Sequence, residues 1–229
     1  MPVQKQTAVG IDGCRGGWVA AILRPDSSFE WQLNASLRAI LGSLPETSTI
    51  LIDMIIGLPN KQQPFRSCDR LARKILRPHG ARVFSAPPRE ALGAETYSEA
   101  CRLARETTGK AISKQCWNLF PKIRELESLN DPRLRESHPE VVFARFNGGL
   151  AVRASKKAAE GRARRLQLLG TQNPKSTAAY TQARSELGKG TYQPDDCIDA
   201  LALCLAAADS GSLTALTDLK RPDAPKIWY

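Results

Sequence analysis

Four aspartates lie where apolar segments of the chain begin or end. Asp12 follows the apolar residues of VGIDG, and Asp53 follows those of ILIDM. Asp196 and Asp199 stand at the start of PDDCIDALALCLAA, a segment that apart from Pro194 and its three aspartates consists of Ala, Leu, Ile and Cys. Residues three apart on a helix project from the same face, so these last two carboxylates should point in one direction. Because carboxylates in an apolar setting need a nearby positive charge or a proton, we expect a cation in front of them.

The start of a helix offers a simpler role for some of these acids. Pro194 suits a first helical position, and acids in the first turn interact favourably with the helix dipole, by about 0.3–1 kcal/mol each. This explanation covers Asp195 and Asp196. It does not cover Asp199, which lies beyond the first turn among apolar residues.

The four carboxylates could together hold divalent metal. If the strands that end at Asp12 and Asp53 are neighbours in one sheet, both side chains emerge at the same edge, where ligands commonly bind. Two unit charges about 4 Å apart repel by about 4 kcal/mol at an effective dielectric constant near 20, and Mg²⁺ or Mn²⁺ would relieve this repulsion. A pair of such ions can activate water and stabilise the leaving oxygen in phosphodiester hydrolysis. We therefore predict that Asp12, Asp53, Asp196 and Asp199 are catalytic metal ligands.

The apolar patterns predict a mixed sheet that positions these acids. Residues 7–23 read as a hairpin, and FEWQLN (29–34) alternates as a third strand. SLRAILGSL (36–44) predicts a short helix, and the β-branched STILIDM (48–54) predicts a buried fourth strand. From about 61 to 130 the sequence is basic and mostly helical. The prediction is an α/β fold with one core spanning residues 1–229 and a helical insertion at about 61–130.

The remaining segments are predicted to be mainly helical. RESHPEVVFARFNGG suggests a short strand or turn before a helix, and APKIWY suggests a last extended segment. Helices are predicted for SKKAAEGRARRLQLL, STAAYTQARSELG and the acidic segment that begins at Pro194.

Composition restricts the class of protein. The 229 residues are 42% hydrophobic and 24% charged, with no run of 18 apolar residues and a polar start, MPVQKQT. These values predict a soluble, cytoplasmic globular protein that does not associate with membranes. The six cysteines form no C-x-x-C pair and only two histidines are present, which excludes a usual zinc finger and favours reduced thiols. The net charge of +10 favours a phosphate-rich partner.

Eight segments together resemble one protein family along nearly the whole chain. They are VGIDGCRGGWV, LIDMIIGLP, SCDRLAR, VFSAPPR, KQCWNLFPKIRE, ESHPEVVFA, SKKAAEGRARRLQLL and DDCIDALALCLAA. They closely resemble the domain of unknown function 429 family, which groups predicted RNase H-like nucleases. The resemblance implies an RNase H-like fold, whose members arrange acids from the first strand, the fourth strand and the last helix around divalent metal. The late helix also looks like its counterpart in Holliday-junction resolvases of the RuvC type.

Further polar residues could assist the acids. In ESHPE, Glu136, His138 and Glu140 would share a face if the segment were extended. Glu140 is therefore a candidate further ligand or base, with a structural role as the alternative. His138 could act as a general base or order the turn before Pro139.

Basic residues provide candidates for binding the phosphate backbone. Lys156, Lys157, Arg162 and Arg165 lie close together in SKKAAEGRARR, and we predict that they contact substrate. Lys156 is the best candidate for touching phosphate near the metal. A solvated helix face is the alternative for this cluster. A second basic stretch runs from residue 66 to residue 82.

These observations favour a metal-dependent nuclease, a hydrolase that acts on RNA or DNA. One alternative is a catalytically silent nucleic-acid-binding module with the same fold. Another is a nucleotide-binding ATPase or kinase of related fold, in which the Asp12-Gly13 turn would lie near phosphates. No Walker A loop is present, and the pattern indicates neither the preferred nucleic acid nor the oligomeric state.

Overall fold

The computed structural model describes residues 6–188 and 190–229. The strands in chain order are β1 (Ala8–Cys14), β2 (Gly17–Leu23), β3 (Phe29–Asn34), β4 (Thr49–Asp53), β5 (Leu134–Glu136), β6 (Ala215–Leu216) and β7 (Ile227–Trp228). The α-helices are α1 (Leu37–Gly42), α2 (Ser67–Ile75), α3 (Tyr97–Thr108), α4 (Lys114–Asn118), α5 (Phe120–Leu129), α6 (Pro139–Phe146), α7 (Ala159–Gln172), α8 (Ser176–Glu186) and α9 (Pro194–Ala208).

The chain divides into two compact units. The first contains the residues up to Met54, then Asp131–Thr214 and Trp228–Tyr229. The second contains Ile55–Asn130 and Ala215–Ile227. The region that the sequence predicts to be a basic helical insertion falls within the second unit.

The first unit is built on a five-stranded mixed sheet with the order β3-β2-β1-β4-β5. β1, β2 and β3 form an antiparallel meander, whereas β4 pairs parallel to both β1 and β5. The predicted hairpin, third strand, short helix and buried fourth strand are all present. The predicted α/β class is therefore confirmed, with a mixed sheet flanked by helices.

Helix α9 is the centre of the core of this unit. Every residue from Cys197 to Ala207 is buried, which explains why the segment lacks the polar face of a surface helix. The helix packs against β1, β2 and β4 on one side and against α6, α7 and α8 on others. A helix surrounded in this way has a position set by many neighbours at once.

Gly10 allows α9 to approach β1 at the level of the backbone. A Cβ atom placed on Gly10 would lie 2.0 Å from the carbonyl oxygen of Ala200 and 2.2 Å from the amide nitrogen of Cys204. Any side chain at this position would therefore push the helix away from the strand. The close approach matters for chemistry, because Asp199 immediately precedes Ala200 and Gly10 is two residues before Asp12.

The second unit is helical apart from its short strands. Two short 3-10 helices, Gly80–Arg82 and Arg89–Ala91, lie between α2 and α3, and α3 packs against the second of these. β6 and β7 form a separate two-stranded sheet. All six cysteines are buried free thiols, in agreement with the prediction of reduced cysteines.

Candidate functional site

Strands β1 and β4 place Asp12 and Asp53 side by side. The two residues are direct partners in the parallel register, and partners in neighbouring strands point to the same face of a sheet. Asp12 is buried. Burial, followed by repulsion from Asp53 and Asp199, raises the pKa of Asp12 well above its ordinary value. The predicted convergence of these two strand ends is thus present.

Helix α9 adds Asp199 to this pair. Asp199 is only 1% exposed, and burial raises the pKa of its carboxyl to about 7. The nearby ammonium of Lys156 opposes this increase, while Asp53 and Glu140 add to it. Carboxylates from β1, β4 and α9 therefore interact within one site, which we call the acidic cluster: Asp12, Asp53 and Asp199.

One oxygen of Asp199 is left without a partner. Its Oδ2 accepts a hydrogen bond from Lys156 Nζ at 2.5 Å. Its Oδ1 is buried and has no hydrogen-bond partner among the residues that the structure describes. Leaving a buried charged oxygen unsatisfied is costly, so Asp199 offers a ready acceptor to a cation or a proton donor.

Lys156 is the positive charge next to the cluster. Its Nζ also lies 3.5 Å from Oδ2 of Asp195, and its side chain remains 37% exposed. Burial alone would lower the pKa of Lys156, but attraction to Asp199, Asp12 and Asp53 raises it well above the ordinary value. Lys156 is thus fully charged and partly accessible. It lies in a turn before α7 begins at Ala159, whereas the sequence pattern predicts a helix at this position.

Asp196 lies at the edge of the acidic cluster and has a structural task. Its Oδ2 accepts a hydrogen bond from the backbone N–H of Gln193 at 2.7 Å, within a capping box at the start of α9. Burial raises the pKa of Asp196, the hydrogen bond from Gln193 lowers it, and repulsion from Asp195 raises it further. Asp196 therefore has the role at the start of the helix that the sequence suggests, and repulsion from Asp53 also raises its pKa.

Glu140 is near the acidic cluster but is bound to a buried arginine. Its Oε1 accepts hydrogen bonds from Arg165 Nη2 at 2.6 Å and from Nε at 3.2 Å. Both side chains are buried, that of Arg165 to 1% exposure. Arg165, for which the sequence predicts a contact with substrate, is instead held by Glu140, and its guanidinium has almost no exposed surface with which to reach a phosphate. Glu140 still raises the pKa values of Asp53 and Asp199 by repulsion, after the larger effect of burial.

The segment before α6 does not place its three polar residues on one face. Glu136 pairs in register with Ile52, so it lies on the face opposite to Asp53. His138 is the N-cap residue of α6, and its Nδ1 accepts a hydrogen bond from the backbone N–H of Glu140 at 3.2 Å. The imidazole acts electrostatically on Asp53 and lowers the pKa of that carboxyl, against the larger effect of burial.

The other predicted substrate contacts lie nearer to solvent. Lys157 is exposed and Arg162 is partly exposed. Arg162 Nη1 donates to the carbonyl oxygen of Lys157 at 2.6 Å, which ties the first turn of α7 to the turn that carries both lysines. Lys157 and Arg162 therefore accompany Lys156 in the chain segment that adjoins the acidic cluster.

A preassembled metal site is not found. Among residues 6–188 and 190–229, no group of three or more His, Cys, Asp or Glu side chains is arranged so that it could hold a metal ion. The donor chemistry nevertheless fits a hard cation. Asp12, Asp53 and Asp199 supply carboxylate oxygens, and the unsatisfied Oδ1 of Asp199 needs a partner.

Sequence reasoning missed two features of this site. The sequence interpretation gives Asp195 only an interaction with the helix dipole, yet Asp195 lies next to Lys156. The second feature is Gly161, since a glycine in the first turn of a helix is an unfavourable choice that often reflects a close backbone contact. A Cβ atom on Gly161 would lie 1.9 Å from the carbonyl oxygen of Ser155. This glycine was the available signal that the lysine turn packs directly on α7.

Comparison with known proteins matches the chain to a protein family. The sequence model of a family described as "Protein of unknown function (DUF429)" matches residues 10–220. No curated protein and no solved structure matches the chain. Within the described part of the chain, no helix is long and apolar enough to cross a membrane.

Proposed function

Given that this chain belongs to the DUF429 family, we propose that it is a metal-dependent phosphodiesterase that hydrolyses nucleic acid. The observation that carries the proposal is the convergence of Asp12, Asp53 and Asp199, from three elements distant in the sequence, on one site. These are the elements from which the resemblance to RNase H-like nucleases implies the metal ligands: the first strand, the fourth strand and the last helix.

The electrostatics of the acidic cluster support a divalent cation as its partner. Burial and mutual repulsion disfavour the charged forms of these carboxyls, so the cluster is unfavourable unless cations or protons neutralise it. One lysine lies against it, and one oxygen of Asp199 remains unsatisfied. Asp12, Asp53 and Asp199 would hold Mg²⁺ or Mn²⁺, and Asp196 would be an outer partner.

The cation, when bound, would polarise a phosphoryl oxygen and promote attack by water. The protein's own residues supply the remaining parts. Lys156 places a charged ammonium beside the cluster, and Lys157 and Arg162 add positive charge where a phosphate backbone could approach. The buried ion pair of Glu140 and Arg165 joins α6 to α7.

The charge of the protein supports a polyanionic substrate. The net charge is +10, and the excess of Lys and Arg attracts phosphates without regard to base sequence. A nuclease needs this attraction, because its acidic cluster alone would repel the substrate.

A cleavage assay tests the proposal. Single-stranded, duplex and branched DNA and RNA are incubated with the full chain in Mn²⁺, in Mg²⁺ or in chelator. We expect cleavage of at least one substrate in Mn²⁺ and none in chelator. Asp199→Asn should abolish cleavage while keeping the native circular dichroism spectrum. Asp26→Asn, which changes an exposed acid in the β2–β3 turn, should cleave like the wild type.

Binding measurements separate the rival interpretation. Retained binding of nucleic acid with no cleavage under any of these conditions would favour the catalytically silent module instead. Binding that weakens steeply with salt is expected in either case, so cleavage decides between them.

A further inference from the structure

The turn that carries Lys156 is held in place from within the core. Arg165 Nη1 donates to the carbonyl oxygens of Ala154 and Gly161, both at 3.0 Å. Because Gly161 has no side chain, the carbonyl of Ser155 can lie directly against the first turn of α7. The backbone next to Lys156 is therefore positioned by contacts that do not involve the acidic cluster.

The Lys156 ammonium neutralises part of the negative charge of the acidic cluster. It lies 2.5 Å from Oδ2 of Asp199 and is attracted by Asp12 and Asp53 as well. A divalent cation held by the same three carboxylates would compete with the ammonium for the same negative charge. Two cations crowded together in one small site would also repel each other.

The side chain of Lys156 can move from the acidic cluster towards solvent. It is 37% exposed, unlike the nearly inaccessible Asp199. A lysine ends in a compact charge with three donors on a flexible four-carbon stem, so it can move several ångströms while its backbone stays fixed. Ammonium groups bind phosphate well as point charges.

We infer that Lys156 is a built-in counter-ion that leaves Asp199 when a divalent cation binds and then holds a phosphate group of the substrate. This inference rests on the proposed function. Its consequence is that metal and phosphate assist each other's binding, because phosphate offers the displaced ammonium a new partner. Coupling of this kind must act equally in both directions.

Titration with Mn²⁺, followed by the electron paramagnetic resonance signal of the free ion, tests the inference on the full chain. Lys156→Met should bind Mn²⁺ about tenfold more tightly than the wild type, because the competing charge is gone. Lys156→Arg keeps that charge and should retain the weaker affinity of the wild type. A 5′-phosphorylated thymidine dinucleotide should tighten Mn²⁺ binding several-fold in the wild type and much less in Lys156→Met. A titration without protein corrects for ions bound by the dinucleotide.

A matched control uses another lysine of the same unit. Lys175 Nζ donates to the carbonyl of Ser27 in the β2–β3 turn, at the end of the sheet remote from Asp12. Lys175→Met changes the net charge equally, so it should leave Mn²⁺ affinity within about twofold of the wild type. A tenfold effect in this control would mean that total charge, and not the position of Lys156, sets the affinity, and would overturn the inference.

The outcomes separate this inference from the proposed function. If Asp12→Asn abolishes Mn²⁺ binding but Lys156→Met binds as the wild type does, the metal site stands and the inference is wrong. If Lys156→Arg binds as tightly as Lys156→Met, loss of the native contact and not of the charge is responsible, and the inference is again wrong. If the wild type and Lys156→Met both fail to bind Mn²⁺, the proposed function fails together with the inference.

Discussion

Replacing Asp12 by asparagine should stabilise the protein while destroying its proposed activity. Asp12 is buried beside Asp53, and burial with repulsion from Asp53 and Asp199 raises its pKa well above the ordinary value. A carboxyl with a raised pKa in the folded state favours folding below its unfolded pKa and opposes folding as the pH rises above it. At neutral pH, which is well above the unfolded pKa, the raised pKa of Asp12 therefore lowers the free energy of unfolding, and asparagine removes this cost.

The size of the effect follows from the register of the sheet. Asp12 and Asp53 are partners in neighbouring strands, which are about 5 Å apart. Two unit charges at about 5 Å repel by roughly 3 kcal/mol at an effective dielectric constant of 20. Lys156 compensates part of this, since it attracts Asp12. We expect Asp12→Asn to raise the free energy of unfolding by about 1–3 kcal/mol, and each 1 kcal/mol should raise Tm by about 2–4 °C in a chain of this size.

Thermal denaturation at several pH values and metal concentrations is the assay. The Tm difference between Asp12→Asn and the wild type should be larger at neutral pH than at acidic pH. It should shrink as the pH falls towards the ordinary carboxyl pKa of about 4, because the carboxyl is then protonated in the unfolded chain as well. Mg²⁺ should raise the Tm of the wild type, by an amount equivalent to about 2.7 kcal/mol at a hundredfold excess over Kd, and should have little effect on the variant. The two curves should therefore converge as Mg²⁺ is added.

An exposed acid provides the control. Asp26 accepts hydrogen bonds from the backbone and hydroxyl of Ser28, which lower its pKa. Asp26→Asn should consequently give no stabilisation at neutral pH and should leave the response to Mg²⁺ unchanged. If Asp12→Asn is no more stable than the wild type at pH 7.5 and responds equally to Mg²⁺, the acidic cluster is not under repulsion and the reasoning is refuted.

Three further predictions concern the framework of the first unit. Arg165→Met should lower the free energy of unfolding by about 3–5 kcal/mol, because it leaves the buried carboxylate of Glu140 unpaired. Denaturant unfolding measures this loss, and a loss below about 1 kcal/mol would contradict the prediction. Gly10→Ala should lower the free energy of unfolding by about 3 kcal/mol or more in the same measurement, because a Cβ atom at this position meets the backbone of α9. Unchanged stability would show that the helix and the strand can separate without loss. The hydrogen bonds from Arg133 lower the pKa of Asp131. This pair should therefore stabilise the protein above the ordinary carboxyl pKa, and that contribution should be lost as the pH falls through the lowered pKa of Asp131. Asp131→Asn should reduce the dependence of Tm on pH in this acidic range.

The sheet and its helices were predictable because their signals are local. Alternation and apolar runs gave the hairpin, the third strand and the buried fourth strand, and the uniformly apolar segment after Pro194 gave α9. The acids at the ends of these segments stand out because carboxylates rarely occur in such surroundings. Neighbouring strand ends meet at one edge of a sheet, so the approach of Asp12 to Asp53 also follows from local patterns once the sheet is assumed.

The partners of the charged side chains depended on contacts between distant parts of the chain. Arg165 and Lys156 look alike in the sequence as members of one basic cluster, yet the fold buries the first against Glu140 and places the second against Asp199. Residue types and their spacing indicate how much of a segment is buried and whether the buried positions recur with the period of a helix or of a strand. They do not report which carboxylate a given cation will meet, because that is decided when helices and turns more than twenty residues apart pack together. The sequence by itself thus determined the elements and the acids that they carry, and only the tertiary structure decided that one lysine would balance those acids while an arginine nearby would hold the core.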